Sequence, residues 1–185
     1  MTDIENIWIG VQKGERTAQK KLYEYSVSDL MNVCKRYLPE GVTHLDAIQE
    51  TYVKIFTKSK TYDSTKGTLG AWMARIAVNE CLNTLRKQKR LVMMDIIKTD
   101  LEPQAEEDVV SQLSAEEIYE EVERLPIGYR TVFNLYIVEG YSHKEIGEML
   151  KISPSSSRSQ LTRAKTILKE IIKKKSNLSR YEATK

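Results

Sequence analysis

The sequence predicts an all-α protein built as two small helical domains joined by an acidic linker, the C-terminal one containing a helix–turn–helix. Three observations carry this prediction. Apolar residues recur at helical period along most of the chain, and few segments alternate as strands do. Glycine, proline and capping residues punctuate that pattern at helix-length intervals. Charge is also segregated: from Asp95 to Glu123 acids are dense and Lys98 is the only base, whereas from Lys151 onward only Glu170 and Glu182 oppose the basic residues. A chain of 185 residues accommodates one domain or two small ones, and 41% hydrophobic residues is enough for compact cores. The net charge of +3 does not by itself announce a polyanion partner. Its distribution does, because a basic C-terminal segment suits a polyanion and the acidic stretch insulates it.

The first helix is predicted from the stripe Ile4, Ile7, Trp8 and Val11, closed by Gly14. A longer one runs from about Thr17 to Leu38 with Leu22, Leu30, Cys34 and Tyr37 inward, and Pro39 and Gly41 end it. Thr43 with Asp46 has the form of a capping box and opens a helix through Phe56, with Leu45, Ile48, Tyr52 and Ile55 inward. "TYDSTKGT", Thr61 to Thr68, is turn chemistry and marks a surface loop. A helix from about Leu69 to Lys87 then carries apolar residues around much of its circumference and is expected at the centre of its domain. "DIIKTDLEPQAEED" lacks a sustained helical face and is a linker. Ser114 and Glu117 form another capping box, opening a helix with Ile118, Val122 and Leu125 inward. Pro126 suits the first turn of the next helix, which buries Val132, Phe133, Tyr136 and Ile137 and stops at Gly140.

The stretch "SHKEIGEMLKISPSSSRSQLTRAK", Ser142 to Lys165, contains two helix starts in close succession. Ser142 and Glu145 make a capping box, with Tyr141 placed to staple onto Ile146. Ile146, Met149 and Leu150 form the inner face of the short helix. Ser153 is a natural N-cap for the next, with Pro154 at its first position. Only Lys151 and Ile152 lie between, a tight turn that sets two helices at a steep angle. The second helix turns Leu161, Ala164, Leu168 and Ile172 to the core. Its opposite side gathers Ser155, Ser159, Thr162, Arg163 and Thr166, flanked by Arg158. Short side chains near the N-terminus permit close approach to a duplex. Arg pairs with guanine edges, Gln with adenine, and Ser or Thr with phosphates. A polar solvated face is the bland alternative, but the double cap, tight turn, small tip and basic tail together favour DNA.

A second polar stripe lies on the Leu69–Lys87 helix, where Arg75, Asn79 and Arg86 fall within about 40° of one another and Asn83 sits beside them. Tyr62, Asp63 and Lys66 in the preceding loop lie next to it in sequence. Trp72 is placed to stack on a base, although its neighbours Leu69, Met73 and Ile76 favour a core role. On the helix before, Asp46 and Glu50 repel weakly at i,i+4, and with Gln49 they make a face suited to a basic protein partner. Cys34 and Cys81 fall among apolar residues and are expected as buried thiols, not a metal site or disulfide. His44 and His143, the only histidines, are too far apart in sequence to suggest a site and receive no role. No nucleophile–base set, phosphate-cradling glycine loop or metal-ligand cluster is visible, so no catalytic residue, metal or cofactor is expected. The N-terminus lacks a secretory signal and no apolar run approaches membrane-spanning length, which makes a reducing cytoplasm the default.

From about residue 15 to 172 the chain resembles an extracytoplasmic-function (ECF) sigma factor of the sigma-70 family of bacterial transcription initiation factors. "LDAIQETYVKIF" (45–56) resembles the core-polymerase-binding helix. "YDSTKGTLGAWMARIAVNECLNTLRK" (62–87) resembles the promoter-melting and −10-reading segment, and "LPIGYRTVFNLYIVEGYSHKEIGEMLKISPSSSRSQLTRAK" (125–165) the −35-reading domain. The resemblance implies a region 2-like domain at 1–92, a linker at 93–111, a region 4-like domain at 112–175 and a basic tail at 176–185. It implies that Asp46, Gln49 and Glu50 engage the coiled coil of the polymerase's largest subunit. The loop bearing Tyr62, Asp63 and Lys66 would accept an extruded −10 base, and Arg75, Asn79 and Arg86 would approach the upstream −10 region. Ser155, Ser156, Arg158, Ser159, Gln160, Thr162 and Arg163 would read or grip the −35 element. The linker would occupy the RNA exit path until the transcript displaces it.

The implied partners are core RNA polymerase, through its beta and beta-prime subunits, and promoter DNA; an anti-sigma factor is left open, and the free chain would be a monomer. The chain departs from many members by having Ser157 for valine, Gln160 for lysine or arginine, and His44 and Leu45 where acids open the core-binding helix. Two other readings use some of the same features. One is a stand-alone helix–turn–helix regulator that binds palindromic half-sites as a dimer. The other is a helical adaptor that binds no DNA in a salt-dependent way.

Overall fold

Helix α4, Leu69–Lys87, is the element around which the first part of the chain is built. Thr68 caps it, its side chain accepting from the Ala71 N–H, and Met73, Ala77, Val78, Cys81, Leu82 and Leu85 are buried along it. Each large apolar side chain so buried contributes about 1.5–3 kcal/mol. The computed structural model describes residues 3–39, 42–88 and 115–182. The expected acidic linker, Gly41, the Ser114–Glu117 capping box and the side chain of Ile118 lie outside what is described. The chain divides into two units, Met1–Gln88 and Lys89–Lys185.

In the first unit α1 (Asp3–Gln12) and α2 (Arg16–Tyr37) pack on each other, and α2 and α3 (His44–Thr57) both pack on α4. Gly10 marks the α1–α2 crossing: a Cβ there would stand 2.6 Å from the Ala18 Cβ. Helix α2 buries Leu22, Leu30, Cys34 and Tyr37 as its periodicity requires. Cys34 and Cys81 are free thiols, both buried. A polar crossing of the α2–α3 contact is satisfied: the Tyr52 hydroxyl and Ser26 Oγ are 2.7 Å apart, and Ser26 also donates to the Leu22 carbonyl. Burial pushes the Tyr52 phenol up to about 12.

Two expectations for α3 fail. Thr43 is the N-cap residue but makes no side-chain cap hydrogen bond, so the Thr43–Asp46 box is not formed. Aspartate is one methylene shorter than the glutamate that usually reaches back from that position. Leu45 is 60% exposed, not inward, and Ala47 and Thr51 fill the inner row with Ile48, Tyr52 and Ile55. The helix is rotated so that Leu45, Asp46, Gln49, Glu50 and Val53 share its exposed side. Two short 3₁₀ turns, Ser59–Thr61 and Ser64–Lys66, lead from α3 into α4.

The second unit contains α5 (Ala115–Glu123), α6 (Ile127–Phe133), α7 (His143–Leu150) and α8 (Pro154–Glu182). Val122, Leu125, Val132, Leu135, Ile146, Leu161, Ala164, Leu168 and Ile172 are buried in it. Arg130 turns back from α6 and donates to the Glu123 carbonyl at 2.9 Å, satisfying an end of α5. Pro126 is the N-cap residue of α6, one place earlier than a first-turn proline. Helix α6 runs directly into a π-helical turn, Asn134–Val138, closed by Glu139 N–H on the Asn134 carbonyl at 3.0 Å. The wider turn slips the helical phase. Leu135 therefore points inward, whereas Tyr136 and Ile137, expected in the core, are 37% and 48% exposed. Helix α8 continues through Glu182, so most of the stretch expected as a tail at 176–185 is helical backbone.

Candidate nucleic-acid interfaces

The two helix starts of the Ser142–Lys165 stretch are built by their caps. Ser142 N–H donates to Glu145 Oε2 at 2.8 Å and Glu145 N–H donates to Ser142 Oγ at 3.3 Å, completing the capping box. Helix α7 ends at Lys151, a left-handed residue at φ 57° whose N–H returns to the Gly147 carbonyl. Ile152 N–H reaches the same carbonyl at 3.0 Å. The turn is closed so tightly that a Cβ on Gly147 would stand 2.8 Å from the Ile152 carbonyl oxygen. Ser153 then caps α8, its Oγ accepting from the Ser156 N–H at 3.0 Å.

This geometry displays Ser155, Arg158 and Ser159 to solvent, with Ser156, Thr162 and Arg163 half-buried beside them. The hydroxyls of Ser155 and Ser156 lie 2.8 and 2.9 Å from Ser153 Oγ, making a compact polar tip. Gln160 does not belong to this face. It is only 7% exposed, and its Oε1 is buried with no hydrogen-bond partner. Position 160 falls three residues after buried Ser157 and four before buried Ala164, so the helix carries it inward. Sequence reasoning also passed over His143, whose Nδ1 lies 2.9 Å from Ser157 Oγ. The replacement of an inner-row apolar residue by Ser157 was the available signal.

In the first unit Arg75 and Asn79 are exposed on α4, with Asn79 Nδ2 donating to the Arg75 carbonyl at 2.9 Å. Arg86, further along the same stripe, donates through Nη1 to Asn83 Oδ1. Asn83 donates to Glu80 Oε1 at 3.2 Å, and Glu80 is ion-paired with Lys54 of α3. The i,i+3 spacing of 80, 83 and 86 was a legible cue to this line; the reach of Lys54 from another helix was not.

The preceding loop holds its expected residues in different ways. Tyr62 is half-buried, its ring set edge-on to Trp8 at 5.5 Å and 5.7 Å from Trp72, and its hydroxyl donates to the Gly67 carbonyl at 3.1 Å. Tyr62 and Trp72 thus anchor the loop through a cluster with Trp8. Asp63 Oδ1 accepts from Thr65 N–H at 3.0 Å and from its hydroxyl at 2.7 Å, while Lys66 Nζ lies 3.5 Å from Oδ2. The Thr65 hydrogen bonds, and secondarily Lys66, hold the Asp63 carboxyl below the usual range. On α3, Asp46, Gln49 and Glu50 stand together on the exposed side, joined by Leu45 and Val53. Among the described residues no group of acids, histidines or cysteines is placed to hold a metal, and no helix is long and apolar enough to cross a membrane.

Comparison with known proteins places both units. Residues 22–91 match the model for Sigma-70 region 2, and residues 115–168 match the model for Sigma-70, region 4. The chain is 25% identical over 174 residues to the ECF RNA polymerase sigma factor SigW of Bacillus subtilis, covering 86% of this chain and 91% of that protein. It is 27% identical over 153 residues to SigM of the same organism, covering 82% and 93%. Among solved structures, the sigma factor RpoE of Bartonella quintana, crystallised with the anti-sigma factor NepR, shares the fold at a TM-score of 0.50 and 19% identity, covering 83% of this chain and 96% of that one.

Proposed function

The chain belongs to the sigma-70 family as an ECF sigma factor that directs RNA polymerase to promoters, and from that premise we propose how its surfaces divide the work. The exposed side of α3, with Asp46, Gln49 and Glu50, docks on the beta-prime subunit of core polymerase. Asp63 and Lys66 of the loop, with Tyr62 as its ring anchor, and Arg75, Asn79 and Arg86 of α4 engage the −10 element. Ser155, Ser156, Arg158, Ser159, Thr162 and Arg163 at the start of α8 engage the −35 element. Gln160 is omitted from the reading set because it faces inward.

The observation that carries the −35 assignment is the tip of α8. A completed capping box, a left-handed turn and a serine cap leave its small hydroxyls and Arg158 exposed at a helix N-terminus. Amide groups and dipole there favour a phosphate, while Arg158 has the donors to read a guanine edge. The partner set is then core polymerase with its beta subunit, promoter DNA, and an anti-sigma protein where the chain is held inactive; the working compartment is the cytoplasm. The domain limits we assign are 1–92 and 112–175. The family is non-enzymatic, so nucleotide addition belongs to the polymerase.

The test is retention on immobilised bacterial core RNA polymerase, comparing wild type with Asp46→Arg/Glu50→Arg. Binding by the wild type and loss in the variant are expected. Equal binding by both removes α3 from the interface. Arg158→Ala is expected to weaken promoter-specific initiation while core binding stays intact; loss of both would make Arg158 structural.

A further inference from the structure

Four side chains of the first unit form a continuous hydrogen-bonded line, of which only the last has been given a role. Lys54 of α3 is ion-paired with Glu80, Asn83 Nδ2 donates to Glu80 Oε1 at 3.2 Å, and Arg86 Nη1 donates to Asn83 Oδ1. The Glu80 side chain is 9% exposed, and a carboxylate that deep is costly unless its charge and lone pairs are met.

The chemistry of the line sets its polarity. A carboxylate only accepts and a guanidinium only donates, so the amide between them has one satisfactory orientation. Its NH₂ group faces Glu80 and its oxygen faces Arg86. Lys54 to Glu80 fastens α3 to α4, which is a sufficient structural reason for that first pair. Asn83 and Arg86 both sit on α4 and add nothing to that fastening. What their half of the line does is fix where the guanidinium stands.

We propose that Glu80 and Asn83 are positioning residues for promoter DNA: the buried carboxylate, held by Lys54, orients the Asn83 amide, and the amide presents Arg86 to the −10 duplex. This rests on the assignment of Arg86 to −10 DNA made above. Pre-orientation matters because a long arginine side chain otherwise loses rotamer freedom when it binds. Helix α3 carries the proposed polymerase face, so the line also connects the docking helix to a DNA contact.

The experiment uses holoenzyme assembled from the full chain and bacterial core polymerase. The DNA is a duplex promoter that wild-type holoenzyme selects from a pool of randomised templates. Promoter-complex affinity, core affinity and the thermal midpoint of the free chain are measured separately. Asn83→Leu is expected to weaken the promoter complex roughly tenfold, with core affinity unchanged and the midpoint lowered only modestly, because Lys54 still pairs with Glu80. In an Arg86→Ala background it is expected to add no further loss. Lys54→Met/Glu80→Leu, which removes both charges of the buried pair together, is expected to weaken the complex in the same way, which keeps the test available should Asn83→Leu fail to fold. Additive losses from Asn83→Leu and Arg86→Ala overturn the proposal, as does an Asn83→Leu variant that binds as wild type while Arg86→Ala does not. A harmless Arg86→Ala instead overturns the assignment of Arg86 to DNA, and the positioning role with it.

Discussion

His143 Nδ1 and Ser157 Oγ lie 2.9 Å apart, a hydrogen bond between the first turn of α7 and the first turn of α8. Ser157 is fully buried, so its hydroxyl has no water to turn to. The imidazole is stacked on Tyr136 with ring centroids 4.4 Å apart and planes 17° from parallel. The π-helical turn that exposes Tyr136 thus also supplies the surface on which His143 rests. The neutral ring accepts the Ser157 proton at Nδ1 in one tautomer and donates to Ser157 Oγ in the other.

Stability of the second unit should fall with acid through His143. Burial, and then the Arg158 guanidinium, hold its pKa below the usual value of about 6.5. A base whose folded pKa is depressed contributes stability that is fully present above the unfolded value. That contribution is lost as pH falls from there through the folded pKa, because the unfolded chain takes up the proton first. Thermal midpoints measured from pH 8 to 5 should decline more steeply for wild type than for His143→Asn. Parallel curves would mean that His143 is not the titrating group.

The bond itself should be visible as coupling. Ser157→Ala is expected to cost about 1 kcal/mol in urea unfolding. Ser157→Ala and His143→Ala together should cost less than the sum of the two singles by about 0.5–1.5 kcal/mol. Simple additivity would show that the two side chains act independently.

The turn between α7 and α8 makes two opposite predictions. Gly147→Ala drives a Cβ to 2.8 Å from the Ile152 carbonyl oxygen, a backbone atom that cannot swing aside, and should destabilise by about 1–3 kcal/mol. Lys151→Gly relieves a left-handed residue at φ 57° and should stabilise by about 1 kcal/mol. Thermal midpoints of the two variants should therefore move in opposite directions, and a shared direction would contradict this account of the turn.

How much of this was legible in the sequence follows from which signals were local. The bounds of α4 and the Ser142–Glu145 box were, because a cap and its helix are adjacent in sequence. Leu45 was misplaced because an apolar residue in a first turn satisfies the periodicity count whether it faces in or out. Tyr136 and Ile137 were misplaced because one π-turn breaks the 3.6-residue phase, and nothing in "NLYIV" announces it. Gln160 was placed outward by its chemistry and by the family pattern, whereas its register with Ser157 and Ala164 carries it inward. The Lys54–Glu80 and His143–Ser157 pairs join residues 26 and 14 apart in sequence. Only the packing of separate helices brings such partners together.

The far end of α8 should prove structural as well as basic. Glu121 is 1% exposed, and two cations meet its carboxylate: Arg124 Nη1, 3.2 Å from Oε1, and Lys175, reaching in from α8. Arg124 is the local partner, one residue past the end of α5; Lys175 is the long-range one. Removing one member of a buried pair leaves charge without compensation, which costs more than a surface ion pair contributes. Because Arg124 stays behind, Lys175→Met is expected to destabilise by about 1–2 kcal/mol, below the full cost of an unpaired buried charge. Lys175→Arg should recover most of that, whereas Lys174→Met, one residue away and exposed, should change unfolding by less than about 0.5 kcal/mol. Urea unfolding of the three variants settles the point, since equal effects at 174 and 175 would reduce Lys175 to general charge and remove the Glu121 anchor from the account of α8.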